Sequence, residues 1–222
     1  MVEAAAELVV KAAVHDRQLE AENKKNGGGG GGGGGAKGGS ESAKAKDLRE
    51  RVEALRDSTA SLDAVINKAF DGVWVLRVKD IDGDLLRAQS IQALGRWIVE
   101  YPGMLLDDTK LKYFGWALSD PELAVRKATF TTLQAIYKAC FDEENSSGDD
   151  ALDQNKLTNF TARFVQRSFE AAMDVDEGVA IEAVKLLRLL LDEGIFGEES
   201  VEDAVRDDDV DKVDWLIFDP DK

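Results

Sequence analysis

Few side chains in this sequence could perform catalysis. The chain has one histidine, His15, on the apolar stripe of a predicted helix, and one cysteine, Cys140, at the end of another predicted helix. A histidine and a thiol so far apart in sequence are typical of packing residues, and they predict neither a nucleophile–base pair nor a thiolate metal cage. The run of nine glycines at 27–35 lacks the lysine and the hydroxyl residue of a phosphate-binding loop.

Two aspartate pairs, Asp82/Asp84 and Asp107/Asp108, offer the oxygen ligands that Ca²⁺ prefers. Neither pair is followed by the twelve-residue ligand pattern with its closing glutamate, and both precede predicted helices, whose free N–H groups aspartate caps. The acidic run at 207–209 is interpreted as a solvated loop. The sequence therefore predicts no enzyme, no metal, no cofactor and no small-molecule substrate.

The stretch LKYFGWALSD at 111–120 concentrates aromatic side chains beside a lysine and a glycine. Spacing alone favours packing of Trp116 against a neighbouring helix pair. The alternative is a groove floored by Trp116 and rimmed by lysines such as Lys112, which would take peptides with aromatic anchors and acidic flanks. Gly115 would then permit close approach of a partner backbone. On a helix that starts near Asp108, three apolar residues share the core face: Leu111, Phe114 and Leu118.

The elements that must position this stretch are helical. A heptad-like apolar seam runs along 44–70 and requires a partner helix, for which 8–25, folded back across a glycine-rich disordered loop at 26–43, is the nearest candidate. A coiled coil between chains is the alternative, although the seam is short for one. The strand-like stretch 73–78 is interpreted as a helix end or an extended join, because one isolated strand would leave its backbone unpaired.

A helix-start pattern recurs along the chain. The segment 120–128, in which Asp120 is the predicted N-cap and Pro121 the first helical residue, has related starts at Asp84 and Asp176. The spacing is near 40 residues once the acidic insert at 142–153 is set aside, and that period with two helices per unit indicates HEAT or armadillo repeats. Stacked units bury a continuous core. The predicted fold is an all-α HEAT/armadillo-type α-solenoid fragment with a projecting antiparallel helical hairpin.

Charge and hydropathy exclude several functions. The net charge of −16 argues against a nucleic-acid binder of the basic-patch type, and no apolar run approaches the length of a membrane span. The N-terminus lacks the features of a signal peptide, and a single cysteine indicates a reducing compartment. Neither end carries a polar capping unit, so the chain is predicted to be a piece of a longer solenoid. The predicted organisation is a hairpin at 1–70, HEAT repeats at 71–197, and an acidic segment with the start of a further helix at 198–222.

Several motifs resemble the stromalin conservative domain, a region of the stromalin (SA/STAG) HEAT subunit of cohesin. The most specific is the stretch 111–120, followed by Val125 and Arg126. Upstream, 17–22 resembles the R-Q-x-E-A-E that precedes the family's helical hairpin, and the resemblance spans roughly 8–218. The other matches are 70–80 to F-x-G-V-F-V-H-R-Y-R-D, 94–97 to L-G-x-W, 105–108 to F-L-N-D, 161–164 to T-S-R-F, and 176–187 to D-x-x-V-A-x-E-A-V-x-L-L.

The resemblance implies a non-enzymatic nuclear scaffold that acts in sister chromatid cohesion and chromosome segregation. Its implied partners are kleisin, other cohesin subunits, and regulatory proteins with short aromatic motifs. Chromatin and DNA would be reached mainly through the complex, with no membrane partner. The resemblance also implies a pocket for aromatic-x-Phe motifs, and the positions of this chain that correspond to it are Arg77, Lys79, Asp108, Lys112, Trp116 and Phe164.

Between positions 76 and 79, three residues depart from the family pattern: Leu76 replaces a histidine, Val78 a tyrosine and Lys79 an arginine. Loss of the tyrosine removes a ring and a hydroxyl from the pocket wall, so motif binding would be weaker or altered. The alternative function is another HEAT scaffold, such as a transport receptor or a condensin-like subunit. Such a scaffold would not require Arg77, Lys79, Trp116 and Phe164 to converge on one open surface.

Overall fold

The computed structural model describes residues 43–142 and 153–211, except positions 203, 207 and 210, together with the isolated helical residues 14, 18 and 21. Three predicted features therefore lie outside the described residues, wholly or nearly so. They are the glycine-rich loop, most of the helix at 8–25 with His15, and the acidic insert. The further helix predicted beyond 211 lies outside them as well.

The chain divides into two compact units, 1–71 and 72–222. In the first unit, α1 (Ala43–Ala69) carries the predicted seam, because Val52, Thr59 and Ile66 are buried at seven-residue intervals. A π-helical turn, Phe70–Trp74, follows α1.

The second unit is built from helix pairs. Among the described residues its helices are α2 (Val75–Val78), α3 (Asp84–Glu100), α4 (Pro102–Leu105), α5 (Asp108–Ala117), α6 (Leu123–Phe141), α7 (Gln154–Ala171), α8 (Glu177–Asp192) and α9 (Glu199–Glu202), with a 3₁₀ turn at Ile195–Gly197. Helix α6 packs between α3 and α8, while α5 and α7 contact each other on a second layer. Within the described ranges there is no strand and no helix long and apolar enough to cross a membrane. The all-α prediction is confirmed, and 73–78 is helical.

Aspartates cap three of these helices, and two of the three, Asp107 and Asp176, were predicted. The carboxylate of Asp107 accepts the N–H groups of Thr109 and Lys110 at the start of α5, and Asp153 and Asp176 cap α7 and α8.

The predicted capping by Asp82 or Asp84 is wrong, because Gly83 precedes α3 and no side chain caps it. The predicted start of α6, with Asp120 as the cap and Pro121 as the first helical residue, is wrong. Helix α6 begins at Leu123, because the Asp120 carboxylate instead accepts the N–H of residue 122 in a turn and binds an arginine of α3.

That arginine belongs to a repeated ion-pair pattern. Arg87 of α3 donates two hydrogen bonds of 2.9 Å to Asp120, and Arg126 of α6 donates bonds of 2.8 and 2.9 Å to Asp174. Each arginine also donates to two carbonyls of the loop before its own helix. These largely buried, bidentate ion pairs join the start of α3 to the start of α6, and the start of α6 to the start of α8. This shared role explains why the sequence pattern recurs.

Close packing of α3 on α6 requires glycine at Gly95. A Cβ atom placed there would lie 2.0 Å from Cγ2 of Thr132, which is buried on α6. Either the Thr132 side chain or the two helices would have to shift to accept a methyl group, since the interior is packed at crystal-like density.

We therefore expect Gly95→Ala to lower the free energy of unfolding by about 1–3 kcal/mol, the usual cost of overpacking. Urea denaturation followed by circular dichroism measures the change. Gly103→Ala is the matched control, because a Cβ at Gly103 meets no atom within 4 Å. Equal stability of the two variants would contradict the assigned contact.

Candidate functional site

Helix α5 buries one face and exposes a tryptophan on the other. The predicted core residues Leu111, Phe114 and Leu118 are almost completely buried, which confirms that prediction. Trp116 lies two residues after Phe114, about 200° around the helix, and 51% of its surface is exposed. The packing of Trp116 that spacing alone favoured is therefore wrong.

Two lysines converge on the exposed indole. The Nζ atom of Lys112 lies 5.7 Å from the Trp116 ring centroid, and that of Lys79, just after α2, lies 5.8 Å from it. Both ammonium groups also lie within 6.0 Å of the Tyr113 ring, which meets Trp116 edge-on. Within the described ranges neither ammonium has an acidic partner. Each is therefore available to an external anion while it is attracted to the aromatic faces.

Phe164 reaches α5 from α7 and packs on Gly115. A Cβ at Gly115 would lie 2.3 Å from Cε1 of Phe164, so the space that the glycine leaves is filled by this ring. The predicted use of Gly115, close approach of a partner backbone, is therefore wrong. Arg167 covers the same ring at 5.4 Å and donates a 2.6 Å hydrogen bond to the Gly115 carbonyl.

Asp108 and Phe164 are linked through Arg163. The Arg163 guanidinium donates a 2.8 Å hydrogen bond to Asp108 and lies 5.8 Å from the Phe164 ring centroid. Both members of this ion pair are about half exposed, so it contributes little to stability. It does place a cation beside the second aromatic ring of the site.

Arg77 stands apart from the other predicted residues. Its guanidinium pairs with Asp80 at 3.4 Å, and its side chain is 51% exposed. In the part of the chain that the structure describes, no hydrogen bond, ion pair or ring contact joins Arg77 to Trp116 or Phe164. The structure thus brings Lys79, Lys112 and Trp116 together, and it connects them to Phe164 through the backbone at Gly115.

Sequence reasoning missed three residues of this cluster: Tyr113, Arg163 and Arg167. Arg163 stands beside Phe164 in the quoted T-S-R-F motif, and Arg167 follows one helical turn later, on the same side of α7. Tyr113 belongs to the quoted 111–120 stretch. Their positions in the motifs were the available signal, and only packing of α5 on α7 shows what they contact.

The arrangement suits recognition of a ligand by stacking and charge. Exposed aromatic surface next to cationic side chains binds aromatic and acidic groups. The described residues hold no group of histidine, cysteine or acidic side chains spaced to bind a metal ion. Burial raises the pKa of the Cys140 thiol to about 11, so this cysteine is protonated at neutral pH and a poor nucleophile.

Comparisons with known proteins agree on one family. A family model described as the stromalin conservative domain matches residues 79–165. The chain is 35% identical over 177 residues to sister-chromatid cohesion protein 3 of Arabidopsis thaliana, and 32% identical over 204 residues to cohesin subunit SA-3 of Homo sapiens. These alignments cover 79% and 91% of the chain, but the chain spans only 14% and 15% of the length of those relatives.

A solved structure gives the same fold. Cohesin subunit Scc3 from Z. rouxii matches with a TM-score of 0.72 and 23% identity, over 95% of this chain and 21% of that one. This likeness confirms the predicted HEAT-type helical solenoid. Of the six predicted site residues, all except Arg77 lie inside the stretch matched by the family model. Together, the domain match and the two alignments show that this chain belongs to the stromalin family of cohesin subunits.

Proposed function

We propose that this chain is part of a non-enzymatic cohesin-type scaffold for sister chromatid cohesion and chromosome segregation. In this proposal it acts on chromosomes in the nucleus, assembles with kleisin and other cohesin subunits, and reaches DNA mainly through the complex. The names of its relatives support the cohesin role. The observation that carries the binding proposal is the half-exposed Trp116, flanked by two ammonium groups that have no acidic partner among the described residues.

The proposed ligand is a short segment with an aromatic-x-Phe motif and acidic flanks, supplied by a regulatory protein. One aromatic side chain stacks on the indole of Trp116, where desolvation of both rings supplies the binding free energy. A second ring lies toward Phe164, and acidic flanking residues neutralise Lys79 and Lys112. Val78 stands where the resembled motif has tyrosine, so the ring and hydroxyl of that tyrosine contribute nothing to binding by this chain.

Fluorescence anisotropy with a labelled peptide of acid-flanked Phe-x-Phe sequence tests the proposed pocket. We expect saturable binding by the full chain, and loss of binding when both phenylalanines of the peptide are replaced by alanine. Equal binding of the two peptides would refute recognition of the aromatic motif. Capture of the full chain by immobilised kleisin separately tests the scaffold role.

We expect the double substitution Lys79→Met, Lys112→Met to weaken peptide binding by about 5- to 30-fold, because two contacts are lost. Methionine keeps an apolar stem over the rings but removes the charge, and an exposed cation–π or charge contact is worth about 0.5–1 kcal/mol. The affinity should also depend less steeply on salt, which titrations at two NaCl concentrations measure. Lys138→Met, at an exposed position near the end of α6, is the control. An unchanged salt dependence in the double variant would contradict the charge assignment.

A further inference from the structure

Trp116 is the exposed end of a column of three aromatic rings. Beneath it, Tyr113 is 7% exposed and meets the indole edge-on, with centroids 5.2 Å apart and planes at 78°. Beneath Tyr113, Trp74 is 4% exposed and meets the phenol ring edge-on at 4.9 Å and 81°. Edge-to-face pairs are directional, so each ring restricts the orientation of the next.

The buried end of the column is anchored to the backbone of α3. Nε1 of Trp74 donates a 2.8 Å hydrogen bond to the carbonyl of Ser90. The motif that residues 70–80 resemble has phenylalanine at the position of Trp74, and a phenyl ring has no N–H to donate. In this chain the Trp74 indole therefore has an attachment to α3 that a phenyl ring would lack.

The aromatic column also affects the positions of the two lysines of the site. The ammonium groups of Lys79 and Lys112 lie over both Tyr113 and Trp116, so the orientation of the middle ring affects each of them. A ring that is already held in its binding orientation loses less conformational entropy when a ligand stacks on it.

We propose that Trp74 is a positioning residue for the peptide site: through Tyr113, it holds the Trp116 indole in the orientation that receives the partner's aromatic side chain. This inference rests on the proposed function for its binding readout, but its structural readout is independent of any ligand. Tyr113 is the second positioning residue, since it connects the anchored indole to the exposed one.

The test uses the full chain labelled with 5-fluorotryptophan. The sequence has four tryptophans, so four ¹⁹F resonances are expected, and Trp116→Phe assigns the one from Trp116. Trp74→Phe removes the Nε1 donor and shrinks the ring, whereas Trp97→Phe, at a buried position of α3, makes the same change outside the column. Thermal unfolding, the ¹⁹F spectrum and peptide affinity are measured for each variant.

We expect Trp74→Phe to shift or broaden the Trp116 resonance and to weaken peptide binding by about two- to tenfold, the range of one edge-on aromatic pair. Trp97→Phe should lower the unfolding temperature, because Trp97 is buried, but leave both readouts unchanged. Tyr113→Leu, which breaks the column at its middle ring, should act in the same direction as Trp74→Phe, and Tyr113→Phe should retain binding.

A Trp116 resonance and a peptide affinity that are unchanged by both Trp74→Phe and Tyr113→Leu would overturn the inference. An equal response to Trp97→Phe would also overturn it, because a general loss of stability would then explain the effect. If the unmodified chain binds no peptide, the proposed function fails, and the ¹⁹F comparison still decides whether Trp74 orients Trp116.

Discussion

Replacing Arg126 by alanine is expected to lower the free energy of unfolding by about 3–5 kcal/mol, the cost of removing one partner from a buried ion pair. Both side chains of the Arg126–Asp174 pair are largely buried, at 14% and 11% exposure, and two hydrogen bonds join them. The substitution leaves a buried carboxylate without its counter-charge, and it also removes the donor to the carbonyls of Asp120 and Pro121. Urea denaturation of both proteins at neutral pH measures the difference.

Two controls define the cause of that loss. Arg126→Lys keeps the charge but not the fork geometry, so it should recover only part of the stability. Arg188→Ala removes an exposed arginine whose pair with Asp192 is about 60% exposed on both sides, and it should cost less than about 1 kcal/mol. If Arg126→Ala and Arg188→Ala were equally stable, the repeated ion pairs would not be what joins successive helix starts.

The pH dependence gives an independent check on the same pair. The hydrogen bond from Arg126 holds the pKa of Asp174 below its ordinary value. A carboxylate with a lowered folded-state pKa adds stability above its unfolded pKa of about 4, and this stability is lost as the pH falls through the folded-state pKa. The stability gap between the native chain and Arg126→Ala should therefore narrow on acidification below about pH 4.

Trp116→Ala is expected to weaken binding of the Phe-x-Phe peptide by about 30-fold or more, the loss seen when a central tryptophan anchor of an interface is truncated. The indole supplies the largest exposed aromatic surface of the site and the face that both ammonium groups approach. Because half of the side chain is already in solvent, the unfolding temperature should change little. Anisotropy titration and thermal denaturation of the same preparation provide the two measurements.

Leu85→Ala is the matched control, because Leu85 is a large apolar residue of α3 with 63% exposure. It should leave peptide affinity unchanged. Full-strength binding by Trp116→Ala would remove this residue from the proposed site, and an equal loss in Leu85→Ala would indicate nonspecific adhesion of the peptide.

The all-α repeat fold was predictable because apolar periodicity and helix-start residues are local signals. Helix α5 shows how far such signals reach: they place Leu111 and Phe114 in the core, as observed. They did not show that Asp120 binds an arginine of α3 rather than capping α6, because its partner lies 33 residues away. The hairpin and domain boundaries stay predictions, since much of that region lies outside the described residues.

The candidate site likewise combines features that the sequence predicted with features that only the tertiary structure showed. Residue types suggested a groove with Trp116 and Lys112, the resemblance to the stromalin conservative domain implied Lys79 and Phe164, and helical geometry separated Trp116 from the core face of α5. Only the tertiary structure showed that the indole is solvent-exposed, that the Phe164 ring fills the space at Gly115, and that Arg77 turns to Asp80. The physical reason is that periodicity tells which face of a helix a side chain occupies. Whether that face meets another helix, a ring or water depends on contacts between segments far apart in sequence.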